Sequence, residues 1–341
     1  MMIILSGIFG KRVCYAEGSS KGTWFSSRLA LGMAVSTFCG IAGTAFAADP
    51  LSTDPTHLPH TEVLGTRGLH DVTSESDLVG PAGQPEWTTR RIFAETDVYV
   101  IPPGEVEYNQ FYISSHPREG KPGNLFESEL EIGLPWRTQF DVEMNYSVQG
   151  GSLQYDSTMV ELPHALADWG KIPLNPAIDA GWRFKVGEAD AYFFRLLLAE
   201  DLGKSFQFGA NLTYDHQVGG DQERGYELTT ALNYGVIDGR LSVGVQCILE
   251  HETARESELD PVSGLYETED VYSTAVLLGP TVLWRPSRSM HVGIAPLFGL
   301  THDSPTVEAL FLVGFDFEPF GSHASGESGQ QGDVPMLRRH R

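Results

Sequence analysis

From residue 105 to residue 317 the chain alternates between apolar and polar positions with a period of two. In Leu125–Leu134, Phe126, Leu130, Ile132 and Leu134 share one side and Glu127, Glu129 and Glu131 the other. After the break Pro135-Trp136-Arg137, the residues Phe140, Val142, Met144, Tyr146 and Val148 alternate with Asp141, Glu143, Asn145 and Ser147. The same pattern recurs over 178–186, 192–198, 206–215, 226–236, 241–250, 291–300 and 307–317. With 105–115, 152–162 and 271–285 added, the count reaches twelve candidate strands; 152–162 alternates least, so ten to twelve are expected. No long window keeps a 3.6-residue period, although 161–175 has room for a short helical turn. The breaks at 135–137, 187–190, 237–240 and 286–288 are short, whereas those at 116–123, 217–225 and 252–270 are longer and charged.

Two architectures fit half-apolar strands. A soluble sandwich turns the apolar face inward; a membrane barrel turns it to lipid and lines its lumen with the polar face. Three features favour the barrel. Aromatic residues gather near strand ends, with Trp136, Tyr146, Trp182, Tyr214, Tyr234, Trp284 and Phe317 the candidate interfacial set. Many residues on the polar face are carboxylates or glycines. The last strand closes on the aromatic pair of Phe315-Asp316-Phe317. The expected fold is therefore all-β, an antiparallel transmembrane β-barrel over 104–317, preceded by an irregular segment.

The flanks extend this reading. Arg28–Ala47 (RLALGMAVSTFCGIAGTAFA) has a basic start, an apolar run and an A-x-A end. Residues 1–47 thus read as a signal peptide cut after Ala47, which directs the chain across the inner membrane. Residues 48–103 carry no hydrophobic period and are expected as an irregular periplasmic segment, with His57, His60 and His70 as solvated loop residues. Residues 318–341 read as a flexible tail. The formal net charge of −22 becomes −25 without residues 1–47, which excludes a phosphate-coating nucleic-acid protein. Of the three cysteines only Cys247 then remains, so neither an intrachain disulfide nor a paired-cysteine metal motif is available.

The stretches ESELEIGLPWRTQFDVEMNY (127–146), ADWGKIPLNPAIDAGWRF (167–184), DGRLSVGVQCIL (238–249), and GPTVLWRP, SMHVGIAPLFGLT and VEALFLVGFDF within 279–317 carry a resemblance. The chain resembles the bacterial outer-membrane barrel family, transporter-like and related to the meta-pathway phenol-degradation proteins. That resemblance covers about 105–317 and implies an outer-membrane barrel that helps small molecules across. It brings no catalytic residues. The chain departs from it in continuing past Phe317 to Arg341.

Taken together, the expected activity is a channel for passive or facilitated passage of small molecules. The expected partners are outer-membrane lipid, the barrel-assembly machinery and small solutes; no nucleic acid, cofactor or metal is expected. The alternatives are an occluded structural barrel and an outer-membrane lipid or ester hydrolase. The hydrolase needs a nucleophile beside a base. Ser242 and His251 are too far apart along one strand, His302 with Ser304 near a strand end is a pair common by chance, and no G-x-S-x-G, Walker or H-E-x-x-H motif is present. The candidate lumen residues are Glu127, Glu129, Glu131, Asp141 and Glu143, facing one way from adjacent strands, with Arg183, Arg195 and Arg285. The carboxylates make either a cation-favouring filter or a wall paired to Arg183, Lys185, Arg195 and Arg285.

Overall fold

The computed structural model describes residues 74–317 except 204, 221 and 260–265. The signal peptide, the first part of the 48–103 segment and the 318–341 tail lie outside the described residues.

Twelve antiparallel strands form the wall: β1 (Val106–His116), β2 (Gly123–Leu134), β3 (Thr138–Gln149), β4 (Ser152–Glu161), β5 (Ala177–Lys185), β6 (Ala191–Leu202), β7 (Phe206–Gln217), β8 (Arg224–Ile237), β9 (Leu241–Leu259), β10 (Tyr266–Ser287), β11 (Met290–Gly299) and β12 (Val307–Phe317). Each pairs with its neighbours in sequence. The ring closes where β12 meets β1, from Val307 opposite His116 to Phe317 opposite Val106. Closure pairs both sides of each strand within the wall, as a bilayer demands; the β9–β10 ladder runs on beyond its neighbours.

The burial pattern is that of a soluble protein turned inside out. Phe194, Leu212, Tyr226, Phe298 and Phe311 face outward and are 57%, 52%, 53%, 52% and 42% exposed, whereas Glu129, Asp141, Asn145, Thr229, Asn233 and Gln246 are at most 5% exposed. Tilted strands of about 9–11 residues suffice to cross a bilayer, and nearly every strand here reaches that length.

Two local expectations change. Residues 161–175 hold no helix; His164 and Ala165 instead bridge to Thr138 of β3 and to Ile178 and Ala177 of β5. The charged stretch 252–270, expected as a loop, continues the β9–β10 ladder from Glu252 opposite Ser273 to Leu259 opposite Tyr266. A ladder outside lipid needs no apolar face, only cross-strand pairs such as Arg255 with Asp270 at 3.3 Å. The break at 187–190 also lies at the same barrel end as the longer connections, because the hairpin Gly150-Gly151 shifts the parity.

Candidate functional site

The largest departure is the position of residues 74–103. They are irregular, apart from the two-residue pairing of Leu78–Val79 with Gln84–Pro85 and a 3-10 turn at Glu86–Thr89. They lie inside the barrel. Non-helical backbone at membrane depth is tolerated only when protein surrounds it, and here it does. Trp87, Ile92, Phe93, Val98, Tyr99 and Val100 pack with Ala165, Ala177, Leu197, Ala199, Ala231 and Leu283 of the wall. Trp169 meets Trp87 and Tyr99 edge-on, with ring centres 5.7 and 5.3 Å apart.

Glycines on the wall make room for this plug. A Cβ on Gly209 would stand 2.8 Å from the Phe93 ring, and one on Gly133 would stand 1.9 Å from the Pro102 carbonyl oxygen. Hydrogen bonds fix the register. The Trp87 indole N–H donates to Asp201 at 2.8 Å, the Asn233 amide to the Ile92 carbonyl at 3.1 Å, and the Ile101 N–H to Gln139 at 2.7 Å. Thr96 bonds Thr229 at 2.9 Å, and the Tyr99 hydroxyl donates to the Ala167 carbonyl at 2.5 Å. Burial pushes the Tyr99 phenol up to about 12.

The carboxylates on the polar faces now have a geometry. Asp316, Glu107, Glu131, Asp141 and Glu161 stand directly opposite one another in sequence across β12, β1, β2, β3 and β4. Glu129 faces Glu143 one step along. Like charges directly opposite are unfavourable, and buried ones need counter-charge. The plug supplies it. Arg91 bonds Glu129 at 2.6 Å and also contacts Asp97, which in turn contacts Arg195. Arg195 reaches Glu161 at 3.4 Å and Asp179 at 3.6 Å. Arg90 contacts Glu75, and Arg285 reaches Glu86 at 3.2 Å. Burial works against the charge on Arg91, but Asp97, Glu129 and Glu131 outweigh it and hold its pKa well above the usual guanidinium value.

The structure thus places Glu129, Glu131, Asp141, Glu143, Arg183 and Arg285 buried on the inner face, with Glu127 and Arg195 partly buried beside them. The cations expected to neutralise this row have further partners: Arg183 lies 3.7 Å from Asp215, and Lys185 lies 3.7 Å from Glu188. A cavity of about 130 Å3 lies between plug and wall, lined by Arg91, Glu95, Asp97, Glu127, Glu129, Glu143, Arg183 and Arg195 together with strand-end residues such as Ser115 and Asn124. Between plug and wall a second space measures about 20 Å3, above the roughly 10–15 Å3 that admits one water.

The aromatic candidates face outward. Trp136 is 86% exposed in the β2–β3 turn, and Trp182, Tyr234, Trp284 and Phe317 are 38–53% exposed on strands; Tyr146 and Tyr214 are half-buried. On β9 to β12 part of the inner face is also apolar, where Ile248, Leu277, Ala295, Leu297 and Leu310 pack with Ala94 of the plug. The close serine–histidine pair separates: the Ser304 hydroxyl donates to the Val276 carbonyl at 2.9 Å, whereas the His302 side chain is 99% exposed beside Asp303.

No family model matches the chain, and no curated protein does. Among solved structures it is similar to an outer membrane channel from Pseudomonas putida F1, at 10% identity over 65% of this chain and 98% of that one, with a TM-score of 0.47. It is also similar to the NanC porin (12% identity, 62% and 98% covered, TM-score 0.41) and the KdgM porin (11% identity, 62% and 98% covered, TM-score 0.37).

Proposed function

We propose that this chain is a non-enzymatic outer-membrane channel of a Gram-negative bacterium, closed by residues 74–105 and conducting small polar solutes when that plug yields. One observation carries the proposal: a closed barrel with a large-apolar exterior and a charged interior, which suits lipid outside and water within. The resemblance to the meta-pathway phenol-degradation barrels supports it. In this reading Trp136, Tyr146, Trp182, Tyr214, Tyr234, Trp284 and Phe317 sit at the membrane interfaces, and the aromatic end of β12 serves the barrel-assembly machinery. The carboxylate row favours cations.

Fractionation with heat-modifiable gel mobility tests the location, and recovery from the soluble periplasm would refute it. Liposome swelling with small sugars tests the channel. We expect slow swelling from the natural chain and faster swelling when Arg91→Ala and Asp97→Ala are combined. The plug itself favours a second reading, an occluded barrel without transport; no swelling from either protein would establish that one. In planar bilayers the lumen is expected to prefer cations, and anion preference in both the natural chain and the Glu129→Gln, Glu131→Gln variant would sink the acidic filter.

A further inference from the structure

Where the barrel closes, the last and first strands bring together a group of side chains with many lone pairs and few protons. His291 of β11 is fully buried, and neither ring nitrogen has a hydrogen-bond partner. Its Nε2 lies 3.4 Å from Oε1 of Glu107 on β1, and its Nδ1 lies 3.5 Å from Oδ1 of Asp316 on β12. One ligand atom from each of these residues falls within 4.8 Å of the others. Glu107 Oε2, Asn109 Oδ1 and both Asp316 oxygens also lack hydrogen-bond partners.

The ring reaches across β12 because residue 314 is glycine. A Cβ there would stand 2.0 Å from His291 Nε2 and 2.5 Å from Asn109 Oδ1. Those two atoms therefore flank the same point, one nitrogen lone pair beside one amide oxygen. Buried polar atoms are almost always satisfied, so several orphaned acceptors converging on one place call for a cation. An imidazolium is a poor candidate, since its contacts of 3.4 and 3.5 Å are long for charged hydrogen bonds. Zinc bonds of about 2.0–2.1 Å, by contrast, put neighbouring tetrahedral ligands about 3.4 Å apart, the separation of His291 Nε2 from Glu107 Oε1; Asp316 approaches from the Nδ1 side, within the 4.8 Å that spans the group. One imidazole with carboxylate and amide oxygens suits a first-row divalent ion. The guanidiniums on the Asp316 side, Arg90 and Arg285, pair with Glu75 and Glu86 and make no hydrogen bond to Asp316.

We propose that Glu107, Asn109, His291 and Asp316 form a site for one divalent cation of the zinc class. Its ligands come from β1, β11 and β12, so the ion spans the seam where the barrel closes. Glu107 also accepts the Arg91 backbone N–H at 2.9 Å, which joins the plug to the same fastening.

The test uses the full chain refolded in detergent, stripped with EDTA and titrated with zinc chloride by calorimetry, with metal content read by mass spectrometry. We expect one zinc per chain, at least tenfold weaker binding in His291→Gln and in Asp316→Asn, and heat-modifiable mobility in both. Cobalt(II) is expected to give a visible absorption band that His291→Gln removes. If His291→Gln does not fold, Asp316→Asn, whose side chain is 23% exposed, carries the test. No stoichiometric uptake by the natural chain, or uptake that survives the folded variants unchanged, would overturn the proposal.

Discussion

Asp97 joins Arg91 of the plug to Arg195 of the wall. Asp97→Asn keeps the size of the side chain and removes the charge. Breaking a buried ion pair by removing one partner costs about 3–5 kcal/mol when the other is stranded. Neither arginine is stranded here: Arg91 keeps Glu129 at 2.6 Å, and Arg195 keeps Glu161 at 3.4 Å and Asp179 at 3.6 Å. The Asp97 side chain is also 22% exposed, so water screens part of the interaction. These retained contacts reduce the expected loss to about 2 kcal/mol of plug docking, with the barrel wall untouched. At 1.4 kcal/mol per factor of ten, that is about a thirtyfold rise in the undocked population. Single-channel recording in planar bilayers reads it as a rise in open probability at unchanged full conductance. Asp238→Asn is the control, because Asp238 accepts only an exposed contact from the Glu75 N–H at 3.0 Å and should change the open probability little. If Asp97→Asn folds to a heat-modifiable barrel and its open probability equals that of the natural chain, the electrostatic account of plug retention is wrong.

Leu212→Arg places a charge on the outer face of β7, where the leucine is 52% exposed; in lipid this costs about 2–4 kcal/mol and should lower the unfolding midpoint in vesicles, whereas no change would argue that water, not lipid, meets this face. Gly209→Val fills the space 2.8 Å from the Phe93 ring; overpacking of about 1–3 kcal/mol should loosen the plug and speed sugar uptake into liposomes, with unchanged uptake counting against the close fit. Tyr99 titrates near 12 in the docked plug and near 10 when free, so its share of docking is whole below about pH 10 and falls as pH rises toward 12. Open probability should climb over that window, and Tyr99→Phe should flatten the climb.

The wall was legible because a barrel strand writes its two environments into alternate residues, and β7 and β8 are clean examples. The β9–β10 hairpin was hidden for the opposite reason. Beyond lipid, a strand can be polar on both faces, so Thr253–Leu259 reads like a loop. The plug left a faint signal that periodicity does not register: Trp87, Ile92, Phe93 and Val98–Ile101 crowd a segment otherwise rich in small and polar residues. They are buried by tertiary contact, not by a repeating element, so no local pattern announces them. The carboxylates of β2 and β3 could be placed on one face from their spacing. That Arg91 neutralises them could not, because the contact joins residues 38 positions apart.

The plug precedes every strand in the chain, yet it is held by strands from around the whole ring. Its Trp87 waits for Asp201, 114 residues on, and its Glu86 waits for Arg285, 199 residues on. Contacts so remote in sequence form slowly. A segment that comes before β1 in the chain is therefore the last to find all its partners. The plug's docking thus depends on the completed ring rather than on any one hairpin of it.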